Sequence, residues 1–169
     1  MNNIKIVFIF YILILFFSCR GNKNKFPFTN ENEKFFYTDC CGFDYIRFPL
    51  IYPYEVMNAE VGSDKWIINL NFHMDYNSIF MVKKICVIDS VILVNSTYPI
   101  PVEKGEKPLH WFVIIPSDSL EIGFNSEVEL DNYIKQYNIT KYKWKNVEDT
   151  YKEFKDTECL PWIFGCDNR

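Results

Sequence analysis

The sequence predicts an α+β domain, an antiparallel β-sheet packed by one or two C-terminal helices, behind an N-terminal segment removed on export. Three observations predict it. Short runs rich in β-branched and aromatic residues alternate with turn residues through the first two thirds of the chain. Helical spacing and cap residues appear only after residue 125. Strands first and helices last is the order of a sheet that carries its helices to one side or end.

The first element is not part of the domain. Lys5 is followed by an unbroken apolar run, 6–17, and then by Ser18-Cys19. A cationic start, about a dozen apolar residues and a small residue at the cut make a secretory signal. The run is short of the roughly 20 residues that a spanning helix needs. Phe16-Phe17-Ser18-Cys19 resembles the bacterial lipobox, in which a small residue precedes the cysteine that receives diacylglycerol. The expectation is therefore a lipoprotein signal peptide over 1–18 and lipid on Cys19, which attaches the chain to a membrane; a plain secreted protein is the alternative. Arg20 rather than Asp follows the cysteine, which points to the outer membrane over the inner one in a Gram-negative envelope. Residues 19–34 are polar, with Arg20, Gly21, three lysines and several asparagines, and read as a solvated tether. The single domain is then 35–169.

Within it, 45–56 alternates. Ile46, Phe48, Leu50, Tyr52, Tyr54 and Val56 share one face, and the prolines fall on the other. Proline donates no ladder hydrogen bond, so this reads as an extended edge segment. Residues 58–65 form a loop with Gly62-Ser63-Asp64 as turn chemistry, and 66–72 a strand. Strands follow at 79–82, 85–88 and 91–94, with Asp89-Ser90 a tight turn or a polar break. The stretch 95–107, marked by Pro99 and Pro101, reads as a long connection able to present a binding surface. Residues 109–115 are a buried strand stopped by Pro116; Ser117-Asp118-Ser119 turns the chain and 120–124 returns. Ser126 with Glu129 makes a capping box, followed by a stripe of Val128, Leu130, Ile134 and Tyr137. A second helix starts at Asn146, with Val147, Tyr151 and Phe154 on one side.

Phe48-Pro49-Leu50 leading to Pro53-Tyr54, the strand Lys84-Ile85-Cys86-Val87-Ile88-Asp89, and Trp111-Phe112-Val113-Ile114-Ile115 before a polar turn and a capped helix form a recognisable series. In these pieces the chain resembles a family of small bacterial envelope lipoproteins of unknown function. The resemblance implies a lipid anchor, a compact domain and no established chemistry; its motifs are structural and carry no site residues.

Composition narrows the function. Removing 1–18 from the 169 residues leaves 151, one domain of ordinary size plus a tether. The net charge is −4, or −5 once Lys5 is lost, and no basic cluster occurs, which argues against nucleic acid. Aromatic residues reach 18%, enough either to fill an alanine-poor core or to offer a sugar platform; filling the core is the commoner use. Of six cysteines, Cys159 and Cys166 are spaced to close a short terminal loop, Cys40 and Cys41 are adjacent, and Cys86 sits in an apolar run as a buried thiol. With Cys19 lipidated, five remain and one is left over.

Chemistry is scarce. His73 and His110 are the two histidines, and nothing in their spacing brings either to a reactive thiol. No Ser-elbow, zinc-binding His-Glu-x-x-His or phosphate-cradling glycine loop occurs, and nothing calls for a metal or a cofactor. Glu127 with Glu129 and Glu148 with Asp149 sit at helix starts, where acid offsets the macrodipole. Asp89-Ser90-Val91 and Asp118-Ser119-Leu120 resemble an envelope O-glycosylation acceptor, which makes Ser90 and Ser119 candidate sites beside the plainer reading of two turns. The expectation is a membrane-anchored, non-enzymatic module that binds an envelope protein partner, as an inhibitor or immunity factor does. The alternatives are an accessory carbohydrate binder and an unrecognised envelope hydrolase.

Overall fold

The computed structural model describes residues 31–38, 45–60, 62–71, 77–101 and 107–166. The fold is α+β, built on antiparallel sheets. Helix α1 (Glu31–Thr38) leads into the hairpin β1 (Ile46–Pro49) and β2 (Glu55–Asn58). The short pair β3 (Ile68–Asn69) and β4 (Ser78–Ile79) follows. Then come β5 (Val82–Ile88), β6 (Val91–Ile100), β7 (Leu109–Ile115) and β8 (Leu120–Phe124), an antiparallel meander. Helix α2 (Glu127–Ile134), β9 (Lys145–Asn146) and helix α3 (Val147–Thr157) complete the order. The main sheet runs β8-β7-β6-β5-β9.

Both faces of this sheet are covered. Along β6, Ile92 and Val94 enter one cluster with Phe48, Leu50, Val56, Ile85, Phe112, Ile114 and Phe154. Val91 and Leu93 enter the other, with Cys86, Val113, Ile115, Leu130 and Ile134. The period of two thus sends alternate residues into two cores, and the central strands read as continuous apolar runs because neither face meets water. Helix α3 and the β1–β2 hairpin cover the first face; α2 covers the second.

Several elements differ from expectation, each for a local reason. The segment 45–56 is a hairpin, not one extended edge. Leu50 N donates to Tyr54 O at 3.0 Å and Tyr54 N to Ile51 O at 2.8 Å, closing a turn that holds a cis Tyr52–Pro53 peptide. The alternation survives around it: Phe48, Leu50, Tyr54 and Val56 are buried, while Tyr52, in the turn, is exposed. The strand expected at 66–72 shrinks to Ile68–Asn69 among the described residues. The strand expected at 79–82 is interrupted, since Met81 takes a positive φ of 50° between β4 and β5. Val128 is 68% exposed and leaves the helical stripe to Leu130 and Ile134.

The largest difference lies at 95–107. Strand β6 continues to Ile100, so the first part of the expected loop, 95–100, is sheet. Asn95 pairs with Trp111 and Ile100 with Leu109, which leaves the arch 96–99 opposite His110 alone. The buried Ser96 hydroxyl lies 2.6 Å from Phe80 O and 2.8 Å from Tyr98 O, and accepts from Tyr98 N at 3.0 Å. Pro99 is tolerated because a bulge needs no ladder donor there. Other expectations hold: Asp89-Ser90 is the two-residue turn of β5–β6, and β7 spans Leu109–Ile115 with Pro116 directly after it. At the front, α1 straddles the expected boundary between tether and domain at 34/35, because Phe36 is buried on the β1–β2 hairpin.

Candidate binding site

The sequence-predicted positions are scattered. Cys19, Cys40, Cys41 and His73 lie outside the described residues. Cys159 and Cys166 form a disulfide, with Cα atoms 5.5 Å apart. Ser90 and Ser119 are exposed in turns at the same end of the main sheet, Ser119 with a φ of 51°. His110 Nδ1 lies 3.2 Å from the Ser96 carbonyl, a backbone tie within the arch. Cys86 is buried, and burial pushes its thiol above the ordinary value, which keeps it protonated and unreactive. Among the described residues no group of three or more His, Cys, Asp or Glu could hold a metal. No helix there is long and apolar enough to cross a membrane.

Among the described residues, a concavity lies where α2 meets the segment 139–144. Ser126 caps α2 by accepting from Glu129 N at 3.3 Å, and Glu129 Oε2 answers by accepting from Asn125 N at 3.3 Å. That start places Glu127 and Asp131, one turn apart, on the same flank. Leu130 and Ile134 turn inward and are buried. Asn138, with a φ of 61°, reverses the chain, Ile139 sinks into the second core, and the chain returns along the helix. Tyr142 and Trp144, two residues apart in that return, face the two carboxylates. Trp144 Nε1 donates to Glu127 Oε1 at 2.8 Å, and the Tyr142 hydroxyl donates to Asp131 Oδ1 at 2.5 Å.

The cleft so formed holds about 420 Å³, with Ile134 and Ile139 as floor and Lys135 and Lys141 on the rim. Its aromatic wall is braced from behind: the Trp144 ring lies 5.6 Å from Trp111 and 5.3 Å from Tyr142, at 51° and 87°. Burial, then the bond to Asp131, then the nearby Glu127 push the Tyr142 phenol far above its ordinary value. It is therefore a fixed donor, not a base. The second oxygens, Glu127 Oε2 and Asp131 Oδ2, take no hydrogen bond from a described residue. Lys135 Nζ is held by Asn132 Oδ1 at 2.9 Å. The arrangement can bind a donor or a cation.

A second hollow, about 340 Å³, lies between Val87 and Asp89 and the disulfide loop at Pro161, Trp162, Ile163 and Phe164. It carries one ionisable group, Asp89.

The cleft was hidden from sequence reasoning. Glu127 reads there as a helix-start acid, and its neighbour in the pattern is Glu129. The signals that count are Glu127 and Asp131 at a spacing of four and Tyr142-x-Trp144 at a spacing of two, and only the reversal at Asn138 brings the pairs together. Of the tryptophans, Trp66 is buried, while Trp111, Trp144 and Trp162 are half-buried. The sugar reading thus keeps an aromatic wall but finds no coplanar pair there. Comparison with known protein families, curated proteins and solved structures finds no match.

Proposed function

We propose that this protein is a lipid-anchored, non-catalytic binding module of the bacterial envelope, one of the small envelope lipoproteins that the sequence resembles. Its cleft between α2 and 139–144 takes a basic side chain of a protein partner, as an inhibitor or immunity factor would. One observation carries the reading: Glu127 and Asp131 both line the cleft, and each is fixed through one carboxylate oxygen by an aromatic donor, Trp144 and Tyr142. A guanidinium or ammonium group set there meets carboxylate oxygens and the Trp144 face together, and the two attractions reinforce each other. The net charge of −5 left after loss of Lys5 steers basic partners toward the domain.

The test pairs wild type with Glu127→Gln/Asp131→Asn, which keeps the acceptors for Trp144 and Tyr142 but removes the charge. Capture of an envelope protein from the native host should weaken at least tenfold in the double variant and fade with salt. Equal capture would place the surface elsewhere. Saturable binding of a neutral oligosaccharide at the same cleft would favour the carbohydrate reading, whose motive is the half-buried Trp111 and Trp144. Turnover of an envelope substrate, lost in His110→Ala, would make it an enzyme. The anchor has its own test, since Cys19→Ala should leave an uncut precursor without lipid label, and persistent labelling would refute it. Modification of Ser90 and Ser119 would add hexose-sized increments to the intact mass; a bare mass removes that idea.

A further inference from the structure

The anchoring end of the domain has a surface of its own. Phe35 is 67% exposed on α1, and Tyr52 is 44% exposed in the β1–β2 turn beside an exposed Pro53. They belong to one corner: Phe36, next to Phe35 in the chain, has its ring 5.3 Å from that of Tyr52. The corner is built rigidly. Arg47, 8% exposed, donates from Nη2 to the Phe36 carbonyl at 2.5 Å, and its guanidinium lies 4.9 Å over the Phe36 ring. Glu55 holds the other side of the guanidinium at 2.7 Å. Tyr52 N donates to the Tyr37 hydroxyl at 2.9 Å, which ties the turn to the helix. A large apolar ring held out into solvent on an otherwise pinned helix asks for a covering.

The chain length says what covers it. Glu31 follows Cys19 by twelve residues. That stretch reaches at most ~40 Å when extended. We propose that α1 and the β1–β2 turn form the face on which the domain rests against the lipid bilayer, with Phe35 and Tyr52 entering the headgroup region. This rests on the lipid anchor at Cys19. Aromatic rings, tyrosine above all, favour that depth. The consequence is an orientation. Helix α1 and the hairpin pack on the face of the sheet opposite to α2, so a domain docked this way turns the cleft away from the membrane.

The test uses the full lipidated protein in vesicles of equal parts phosphatidylethanolamine and phosphatidylglycerol, as wild type and as Phe35→Ser/Tyr52→Ser. Hydrogen exchange of the backbone in α1 and at 51–53 should be severalfold slower in wild type than in the double variant. Exchange in α2 and 139–144 should be equal in the two, which also reports that the variant keeps its fold. Equal exchange at α1, or vesicle protection that falls on the cleft instead, overturns the docking. The mass of the Cys19 peptide separates the two ideas. Lipid present without protection of α1 refutes docking alone, whereas a bare Cys19 refutes the anchor and the docking with it.

Discussion

Tyrosine hydroxyls do much of the polar work in this protein, and their protons are held tightly. Tyr54 donates to Glu121 Oε1 at 2.7 Å, Tyr142 donates to Asp131, and Tyr133 lies 3.4 Å from the Tyr137 hydroxyl. Burial first, and the Tyr137 hydroxyl second, push the Tyr133 phenol from 10.0 up to about 12. A phenol whose pKa rises on folding is protonated more firmly in the native state. Its stabilisation is complete below the unfolded value of 10.0 and is lost as pH climbs through about 12. Urea melts at increasing alkaline pH should therefore show falling stability across that window, less steeply in Tyr133→Phe. Parallel curves for the two proteins would mean that Tyr133 titrates as an ordinary surface phenol. The same logic keeps Tyr142 a donor to Asp131 throughout the neutral range.

The two C-terminal helices were legible in the sequence because their starts are local chemistry. Ser126 accepts from Glu129 N, and Asn146 accepts from Glu148 N at 2.8 Å. Ser126→Ala and Asn146→Ala should each cost about 1 kcal/mol, measured by denaturant melts. The helices lie on opposite faces of the sheet, so the double variant should lose about the sum. A loss well beyond the sum would reveal coupling through the strands. Past α3, Glu158 takes a φ of 54° and turns the chain into the loop closed by Cys159 and Cys166. That loop drives Leu160 and Ile163 into the first core and lets Trp162 Nε1 donate to Pro49 O at 3.0 Å. Closing eight residues contributes about 2.5 kcal/mol on the chain-entropy account. Cys159→Ser/Cys166→Ser should lose about that much in urea melts, and an unchanged midpoint would show that Leu160, Trp162 and Ile163 hold the loop unaided.

A sheet buried on both sides makes one cooperative body of two cores. Ile92 and Leu93 are neighbours on β6, both fully buried, and point into different clusters. Ile92→Ala and Leu93→Ala should each cost roughly 2–5 kcal/mol. Because β5, β6 and β7 belong to both clusters, tryptophan fluorescence and far-ultraviolet circular dichroism should still report one coincident transition. Separate transitions for the two probes would divide the domain in two. The covering of the second face is also what creates the cleft: Ile139 must be buried for the chain to return along α2, and that return sets Tyr142 and Trp144 against Glu127 and Asp131.

What could be read without coordinates was whatever nearest neighbours decide. The α+β class, the Asp89-Ser90 turn, the β7–β8 hairpin and the two capped helices follow from period, turn residues and caps, all settled within a few positions. The apolar runs at 85–88 and 91–94 announced buried strands, but a run apolar on every position does not say what lies on either side. The fold of 45–56 into a hairpin, the continuation of β6 through Pro99 and the docking of α1 on Arg47 each depend on a partner distant in the chain. The cleft depends on such a partner most of all. Glu127 and Trp144 lie 17 residues apart, and their bond exists because the second core draws in Ile134 and Ile139 on either side of the reversal at Asn138. Local periodicity encodes which elements form; burial of shared apolar surface decides which distant side chains meet.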